Sequence, residues 1–380
     1  RLRLDAVACN AAISACSRGH QWRWSMALLA RMLEAGPKPN TVTYSAVITA
    51  CEKGQQWELA IGLLEEMPRL SLSPNAISFN ATMNACEKGQ QWQRAVALLG
   101  AMQDRGLAPT TISYNTAMSS CNKGDHWTGA LDLLQQLKAS GLELTTVSYN
   151  ASISACERGA GWRQGLALLA ELRTVGLGPD EVSCNAAISA CGAASHWQRA
   201  VDILRSMQGD CLAPSLVTYN AAISACGAGS SWVLALQLLG ELQSGRSRPD
   251  AVSYNSAAWA CSAARGWPRA LALLEEARLQ GLECSIVSCN TALGACEKGH
   301  QWELALSLLV DLHRVCLQPS IVSFNTCISS CEKGHCWEGA LGLLGEMRAR
   351  QLLPDAVGHN AGLAALGGGA WQRAPELLER

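Results

Sequence analysis

At 380 residues the chain has room for two or three ordinary domains or for one long array. Charged residues make up only 16% and the net charge is −1, so no strongly basic character announces a nucleic-acid partner. The 49% hydrophobic content comes in short periodic runs, and no run of 18 apolar residues indicates a membrane span.

The chain opens at Arg1–Asp5, which reads as the tail of an earlier repeat. From residue 6 a 35-residue pattern recurs ten times without insertion or deletion, over 6–355. A partial copy covers 356–380 and slips by one residue at Trp371, after Gly367, Gly368 and Gly369. Both ends have the pattern of a fragment of a longer array. Strict length means that each repeat stacks on its neighbour in a fixed geometry.

Numbering each repeat 1 to 35, position 4 is aromatic in most copies (Tyr44, Phe79, Tyr114, Tyr149, Tyr219, Tyr254, Phe324). Position 8 is usually Ile or Met, and position 11 is Cys (Cys16, Cys51, Cys86 and on to Cys331). The 4, 8, 11 spacing forms one apolar stripe on a first helix. Glycine near position 14 (Gly19, Gly54, Gly89, Gly124, Gly159, Gly299, Gly334) suits a left-handed residue that ends it. A second helix starts at the position-17 Trp, with Trp57, Ala60, Ile61, Leu64 and Met67 as its stripe. Gly and Pro at positions 31 and 34 (Gly106, Pro109; Gly176, Pro179) end it and turn the chain back. Nothing reads as strand. The expected fold is all-α, a superhelical solenoid of about ten helix-turn-helix repeats plus a partial C-terminal one.

Of the 18 cysteines, ten lie 35 residues apart and no CxxC pair occurs. They read as small buried core residues in a reducing compartment, not as disulfides or zinc ligands. The densest group, Cys327, Cys331, His335 and Cys336, falls on core and turn positions and reads the same way. No metal site and no cofactor is expected. Eleven of the 13 tryptophans fill the position-17 slot, leaving Trp24 and Trp259.

Function must come from positions that repeat without being needed for packing. Position 2 is always Val or Ile: Val7, Val42, Ile77, Ile112, Val147, Val182, Val217, Val252, Val287, Val322 and Val357. Position 5 is Asn in Asn10, Asn80, Asn115, Asn150, Asn185, Asn220, Asn255, Asn290, Asn325 and Asn360, with Ser45 the exception. Position 13 is a cation in seven of the ten full repeats: Arg18, Lys53, Lys88, Lys123, Arg158, Lys298 and Lys333. At about 100° per residue, positions 2 and 13 differ by about 1100°, about 20° off alignment, and position 5 lies about 60° to the side. One side of the first helix thus carries a β-branched wedge, an amide and a cation. The bland alternatives are a helix N-cap for position 5 and a solvated C-terminal cation for position 13. Glu52, Glu87, Glu157, Glu297 and Glu332 precede most of these cations and offset their charge.

These residues resemble the pentatricopeptide repeat family in its plain 35-residue form. The likeness lies in the Val-Thr/Ser-Tyr-Asn opening, the mid-repeat Lys-Gly, the Ala-Leu-x-Leu-Leu run and the Gly-Leu-x-Pro-Asp/Asn close. The CEKGxxW segment departs from it by placing Gly one residue early and adding a Trp. Such repeats read single-stranded RNA one base at a time. The resemblance implies that positions 5 and 35 together select the base and that position-2 residues of adjacent repeats sandwich it. Asn150 with Asp180, Asn220 with Asp250 and Asn325 with Asp355 then read uracil. Asn185 with Ser215, Asn255 with Ser285 and Asn290 with Ser320 read cytosine. Asn10 with Asn40, Asn80 with Thr110 and Asn115 with Thr145 take a pyrimidine, and Ser45 with Asn75 takes adenine. Read with the N-terminus at the 5′ end, the implied target is the pyrimidine-rich 5′-Y-A-Y-Y-U-C-U-C-C-U-3′. The position-13 cations would contact phosphates. Because Ala193, Ala228 and Ala263 interrupt them, modest affinity and a shallow salt dependence are expected.

The resemblance also implies RNA processing, stability, editing or translation in a plastid or mitochondrion, with protein partners, no membrane and no small-molecule substrate. A tetratricopeptide-like protein-interaction scaffold is the alternative, disfavoured by the 35-residue period and the near-uniform position-5 Asn. An enzyme is not expected within the chain: no HxE with a following PCxxC marks a zinc deaminase.

Overall fold

A computed structural model describes residues 5–158, 161–210, 212–245, 248–283, 285–314 and 317–366. Gly159, Trp371 and the glycines Gly367, Gly368 and Gly369 lie outside the described residues. The described residues form 21 α-helices and no strand.

The chain divides into two compact units, Arg1–Ala190 and Cys191–Arg380, a division that nothing in the repeat pattern marks. The first holds α1 (Ala6–Arg18), α2 (Trp22–Ala35), α3 (Thr41–Lys53), α4 (Trp57–Arg69), α5 (Ala76–Lys88), α6 (Trp92–Asp104), α7 (Thr111–Lys123), α8 (Trp127–Ala139), α9 (Thr146–Arg158) and α10 (Trp162–Thr174). Helix α11 (Glu181–Ala193) carries the division. The second unit continues with α12 (Trp197–Gly209), α13 (Leu216–Ala228), α14 (Trp232–Ser244), α15 (Ala251–Ala263), α16 (Trp267–Leu279), α17 (Ile286–Lys298), α18 (Trp302–Arg314), α19 (Ile321–Lys333), α20 (Trp337–Ala349) and α21 (Ala356–Leu366). Each odd-numbered helix is the first of its repeat and each even-numbered helix the second. In each unit a first helix packs on its own second helix and on the next first helix. First helices therefore form one layer and second helices the other.

The apolar stripes meet between the layers. Tyr44, Phe79, Tyr149, Tyr254 and Phe324 at position 4 are buried, as are Ile48, Met83 and Ile153 at position 8 and Cys51, Cys86 and Cys331 at position 11. From the second helix come Ala60, Leu64 and Met67. Each large side chain so buried stabilises by roughly 1.5–3 kcal/mol before entropy is counted. The described cysteines are free thiols. Burial pushes the Cys51, Cys86, Cys121 and Cys156 thiols up to about 11. Cys327 and Cys331 are wholly buried core residues.

One expectation is corrected. The position-14 glycines are not left-handed: Gly54 has φ −82°, Gly89 −82° and Gly334 −88°. The left-handed residue is the next one, at φ 55° to 59°, in His20, Gln55, Gln90, Asp125, Ser195, Ser230, Arg265, His300 and His335. Its neighbour closes the turn onto the position-11 carbonyl, as Gln56 N donates to Cys51 O at 2.9 Å. Ala194 and Ala264 stand at position 14 in repeats 6 and 8, so glycine is not obligatory there; where it occurs it has a tertiary role. The half-buried position-17 Trp of the preceding repeat lies against it, so a Cβ would overlap the indole at Gly54 (Trp22), Gly89 (Trp57), Gly124 (Trp92), Gly229 (Trp197), Gly299 (Trp267) and Gly334 (Trp302). Position 31 ends the second helix as expected, and the left-handed glycines fall there: Gly106, Gly141, Gly176 and Gly281 have φ 69° to 81°.

Candidate nucleic-acid interface

Each first helix begins at the position-35 residue of the preceding repeat. That residue is its N-cap, with extended backbone and a side-chain oxygen accepting from a backbone N–H one turn on. Asn40 accepts from Thr43 N at 2.9 Å, Asp180 from Ser183 N at 2.8 Å, and Asp355 from Gly358 N at 2.9 Å. Asn75, Thr110, Thr145, Ser215, Asp250, Ser285 and Ser320 do the same. The cap reading therefore belongs to position 35 and not to position 5, which sits a turn inside the helix. Capping restricts position 35 to Asp, Asn, Ser or Thr, and these are nearly equivalent as caps. They differ sharply as hydrogen-bonding groups.

The position-5 side chains lie beside these caps. Asn10, Asn80, Asn115, Asn150, Asn185, Asn220, Asn255, Asn290 and Asn325 are half-buried, Ser45 is buried and Asn360 is exposed. Where position 35 is Asp, the amide donates to it: Asn150 Nδ2 to Asp180 Oδ2 at 2.9 Å, Asn220 Nδ2 to Asp250 Oδ1 at 3.2 Å, and Asn325 Nδ2 to Asp355 Oδ1 at 2.9 Å. The amide oxygen faces the next repeat. It accepts from the position-3 hydroxyl there: Thr43 to Asn10 at 2.7 Å, Ser113 to Asn80 at 2.8 Å, Ser253 to Asn220 at 2.6 Å, and Ser323 to Asn290 at 2.7 Å. The Oδ1 atoms of Asn115, Asn150, Asn185 and Asn325 are covered and have no such donor. Ser45 donates to the Thr41 carbonyl at 2.8 Å and lies 2.8 Å from Ser78 Oγ.

Sequence reasoning missed the position-3 residues. Thr43, Ser78, Ser113, Ser148, Ser183, Thr218, Ser253, Ser288 and Ser323 are all buried hydroxyls, and their recurrence just before the aromatic was the available signal.

Two of the position-35 carboxyls are held below the usual carboxylate range. Burial works against this at Asp250, but the backbone N–H and hydroxyl of Ser253 and the Asn220 amide outweigh it. The Gly358 N–H does the same for Asp355, helped by Asn325. Both are anionic acceptors at neutral pH.

Position 2 is exposed in every repeat, from 54% at Val252 to 74% at Val7. Val7, Val42, Ile77, Ile112, Val147 and Val182 form this row in the first unit, and Val217, Val252, Val287, Val322 and Val357 in the second. One β-branched side chain is thus left in water on every first helix.

The cations at position 13 are mostly exposed but not all free. Lys88 pairs with Glu52 at 3.1 Å, Lys123 with Glu87 at 3.0 Å, and Lys333 with Glu297 at 2.7 Å. The carboxylate comes from position 12 of the preceding repeat, not from the Glu beside each Lys in sequence. Arg158 lies 3.7 Å from Asp125. Among the described residues Arg18, Lys53 and Lys298 form no ion pair; position 12 of the repeat before Lys53 and Lys298 is Ser17 and Ser262.

Comparison with known families now decides the class. The model described as "Pentatricopeptide repeat domain" matches residues 1–54, 167–229 and 272–333. "PPR repeat family" matches 39–88 and 74–123, and "PPR repeat" matches 112–142, 217–246 and 322–352. The chain belongs to the pentatricopeptide repeat family. Curated protein sequences give no match. Among solved structures, the pentatricopeptide repeat protein PPR10 in complex with an 18-nt psaJ RNA element superposes with a TM-score of 0.83 at 20% identity. That match covers 98% of this chain and 55% of PPR10, so the chain spans about half the length of that relative. PPR10 from maize, crystallised by itself, gives a TM-score of 0.62 at 21% identity, covering 99% of this chain and 63% of that one. At such identities the likeness is one of fold: the stacked hairpins of a pentatricopeptide repeat solenoid.

Proposed function

We propose that this pentatricopeptide repeat chain binds single-stranded RNA sequence-selectively, one base per repeat, along the face that carries positions 2, 5 and 35. The ten repeats over 6–355 are its reading units, with residues 1–5 and 356–380 belonging to flanking repeats. The observation that carries the reading is the exposed Val/Ile row beside the Asn amides and the position-35 caps, present in repeat after repeat.

The geometry supports a division of labour. The position-5 Oδ1 is turned toward the following repeat, so the amide offers Nδ2 as a donor. A donor suits the O2 that both pyrimidines carry. Position 35 then distinguishes them: a carboxylate such as Asp180 accepts from the N3–H of uracil, directly or through water, and a hydroxyl such as Ser215 donates to N3 of cytosine. At repeat 2 the small, already engaged Ser45 leaves room for a purine. The target so read is 5′-Y-A-Y-Y-U-C-U-C-C-U-3′, held without chemistry by the repeats themselves. The fit to organellar RNA processing, in a plastid or mitochondrion, rests on the family alone.

The test is a titration of that RNA, its purine-swapped form and its DNA version, followed by fluorescence anisotropy. Tight binding of the first and at least tenfold weaker binding of the other two is expected. Equal affinity for all three removes base reading, and co-purification with a peptide ligand in place of RNA favours a protein-interaction scaffold.

A further inference from the structure

In the first unit the path between positions 5 and 13 is lined by a polar relay that links adjacent repeats. Glu87 at position 12 accepts from Ser119 at position 9 of the next repeat at 2.7 Å and pairs with Lys123 at its position 13. Glu297, Ser329 (2.8 Å) and Lys333 repeat the arrangement in the second unit. Between repeats 7 and 8 all three members change together: position 12 is Gly227, position 9 is Trp259 and position 13 is Ala263.

The three changes form one local structure. The Trp259 ring lies on Gly227, where a Cβ would sit 2.5 Å from its Cε3, so only glycine admits it. Its other side is open: Trp259 is 40% exposed and makes no hydrogen bond among the described residues. Trp259 is seven residues beyond Val252 and four beyond Asn255, about −20° and about 40° around the helix, so it shares their face. It lies against Gly227 of repeat 7, about 10 Å along the helix from Val252. Charge is thinnest here, since positions 228 and 263 are both Ala.

We propose that Trp259 is an additional RNA contact, an aromatic platform for the nucleotide read between repeats 7 and 8. Its stacking area replaces the cation that those repeats lack. The proposal rests on the RNA-binding reading above. An indole face accepts any base or sugar, so Trp259 adds affinity without altering the choice made by Asn220 and Asp250.

The test uses the ten-nucleotide RNA and the same RNA with its seventh nucleoside replaced by a propanediol spacer that keeps every phosphate. Trp259→Ser, the residue at position 9 in Ser119 and Ser329, should weaken binding of the intact RNA about tenfold. Trp259→Phe should stay within about threefold. The salt slope should not move, because no charge is removed. On the spacer RNA the gap between wild type and Trp259→Ser should shrink toward zero. If Trp259→Ser fails to fold, Trp259→Leu covers Gly227 without a π face and should show the same loss. Intact-RNA binding equal to wild type, or a gap that persists on the spacer RNA, overturns the platform. Wild-type protein that binds neither RNA overturns the RNA reading itself, and the platform with it.

Discussion

Asn150 donates its side-chain amide to Asp180, 2.9 Å from Nδ2 to Oδ2, thirty residues along the chain. The same carboxylate caps α11 through Ser183 N at 2.8 Å. One residue thus starts a helix and presents an acceptor beside the position-5 amide. Asp180→Ser should therefore change recognition without unfolding the protein. Serine caps about as well as Asp, so stability should move by under about 0.5 kcal/mol, whereas Asp180→Ala should cost about 1 kcal/mol. At the fifth base, preference should move from U toward C, read by anisotropy on RNAs differing only there. Unchanged preference would separate position 35 from base choice.

Gly124 is a packing residue in the same sense that Leu64 is. A Cβ there overlaps Trp92 of the preceding repeat. Gly124→Ala should destabilise by roughly 1–3 kcal/mol in urea denaturation, the usual range for forcing extra volume into a packed site. Gly19→Ala is the control. It faces no Trp, and the nearest atoms to its Cβ would be 3.6 Å away. It should be neutral within about 0.5 kcal/mol.

Glu87 holds Lys123 in an ion pair at 3.0 Å, and Lys123 is one of the cations proposed to meet phosphate. Glu87→Gln keeps a group for Ser119 to bond and releases the cation. RNA affinity at low salt should rise roughly threefold, the scale of a partly exposed ion pair. The slope of log K against log salt should steepen, because one more counterion is displaced. A slope identical to wild type would show that Lys123 does not reach the RNA.

Alkaline pH should weaken the fold through its buried acids. The thiols of Cys51, Cys86, Cys121 and Cys156 are raised by burial from 9.0 to about 11. Tyr44 is raised to about 12 by burial and by Glu66, and Tyr149 to about 12 by burial and by Glu171. The unfolded chain loses these protons first, so their contribution is complete below about pH 9 and falls as pH rises toward 11. Urea midpoints should be flat from pH 7 to 8.5 and decline above it. A flat profile to pH 10.5 would mean that the thiols ionise in place.

Much of this molecule is local, and local features are legible. The 35-residue period, the helix starting at each Trp, the buried aromatic and Cys stripe and the end of the second helix at position 31 depend on residues within a few turns of one another. So does the exposure of position 2, since a β-branched residue off the stripe has nowhere to be buried. Sequence alone could therefore place α3 and α4 and single out Val42, Asn80 and Asp180 as residues not spent on the core.

What the tertiary structure decided lies in contacts about one repeat apart. Gly124 looked like a helix terminator, yet it answers to Trp92, 32 residues earlier. Glu87 looked like the partner of adjacent Lys88 but pairs with Lys123. A cap was the bland alternative for Asn10, but its oxygen is tied to Thr43 and the capping falls to position 35. Periodicity ranks faces of one helix and carries no information about which atom of the next helix arrives there. That is set by how the repeats stack, which is also why Trp259 is a spare tryptophan in the sequence and, in the fold, a partly exposed indole lying on Gly227.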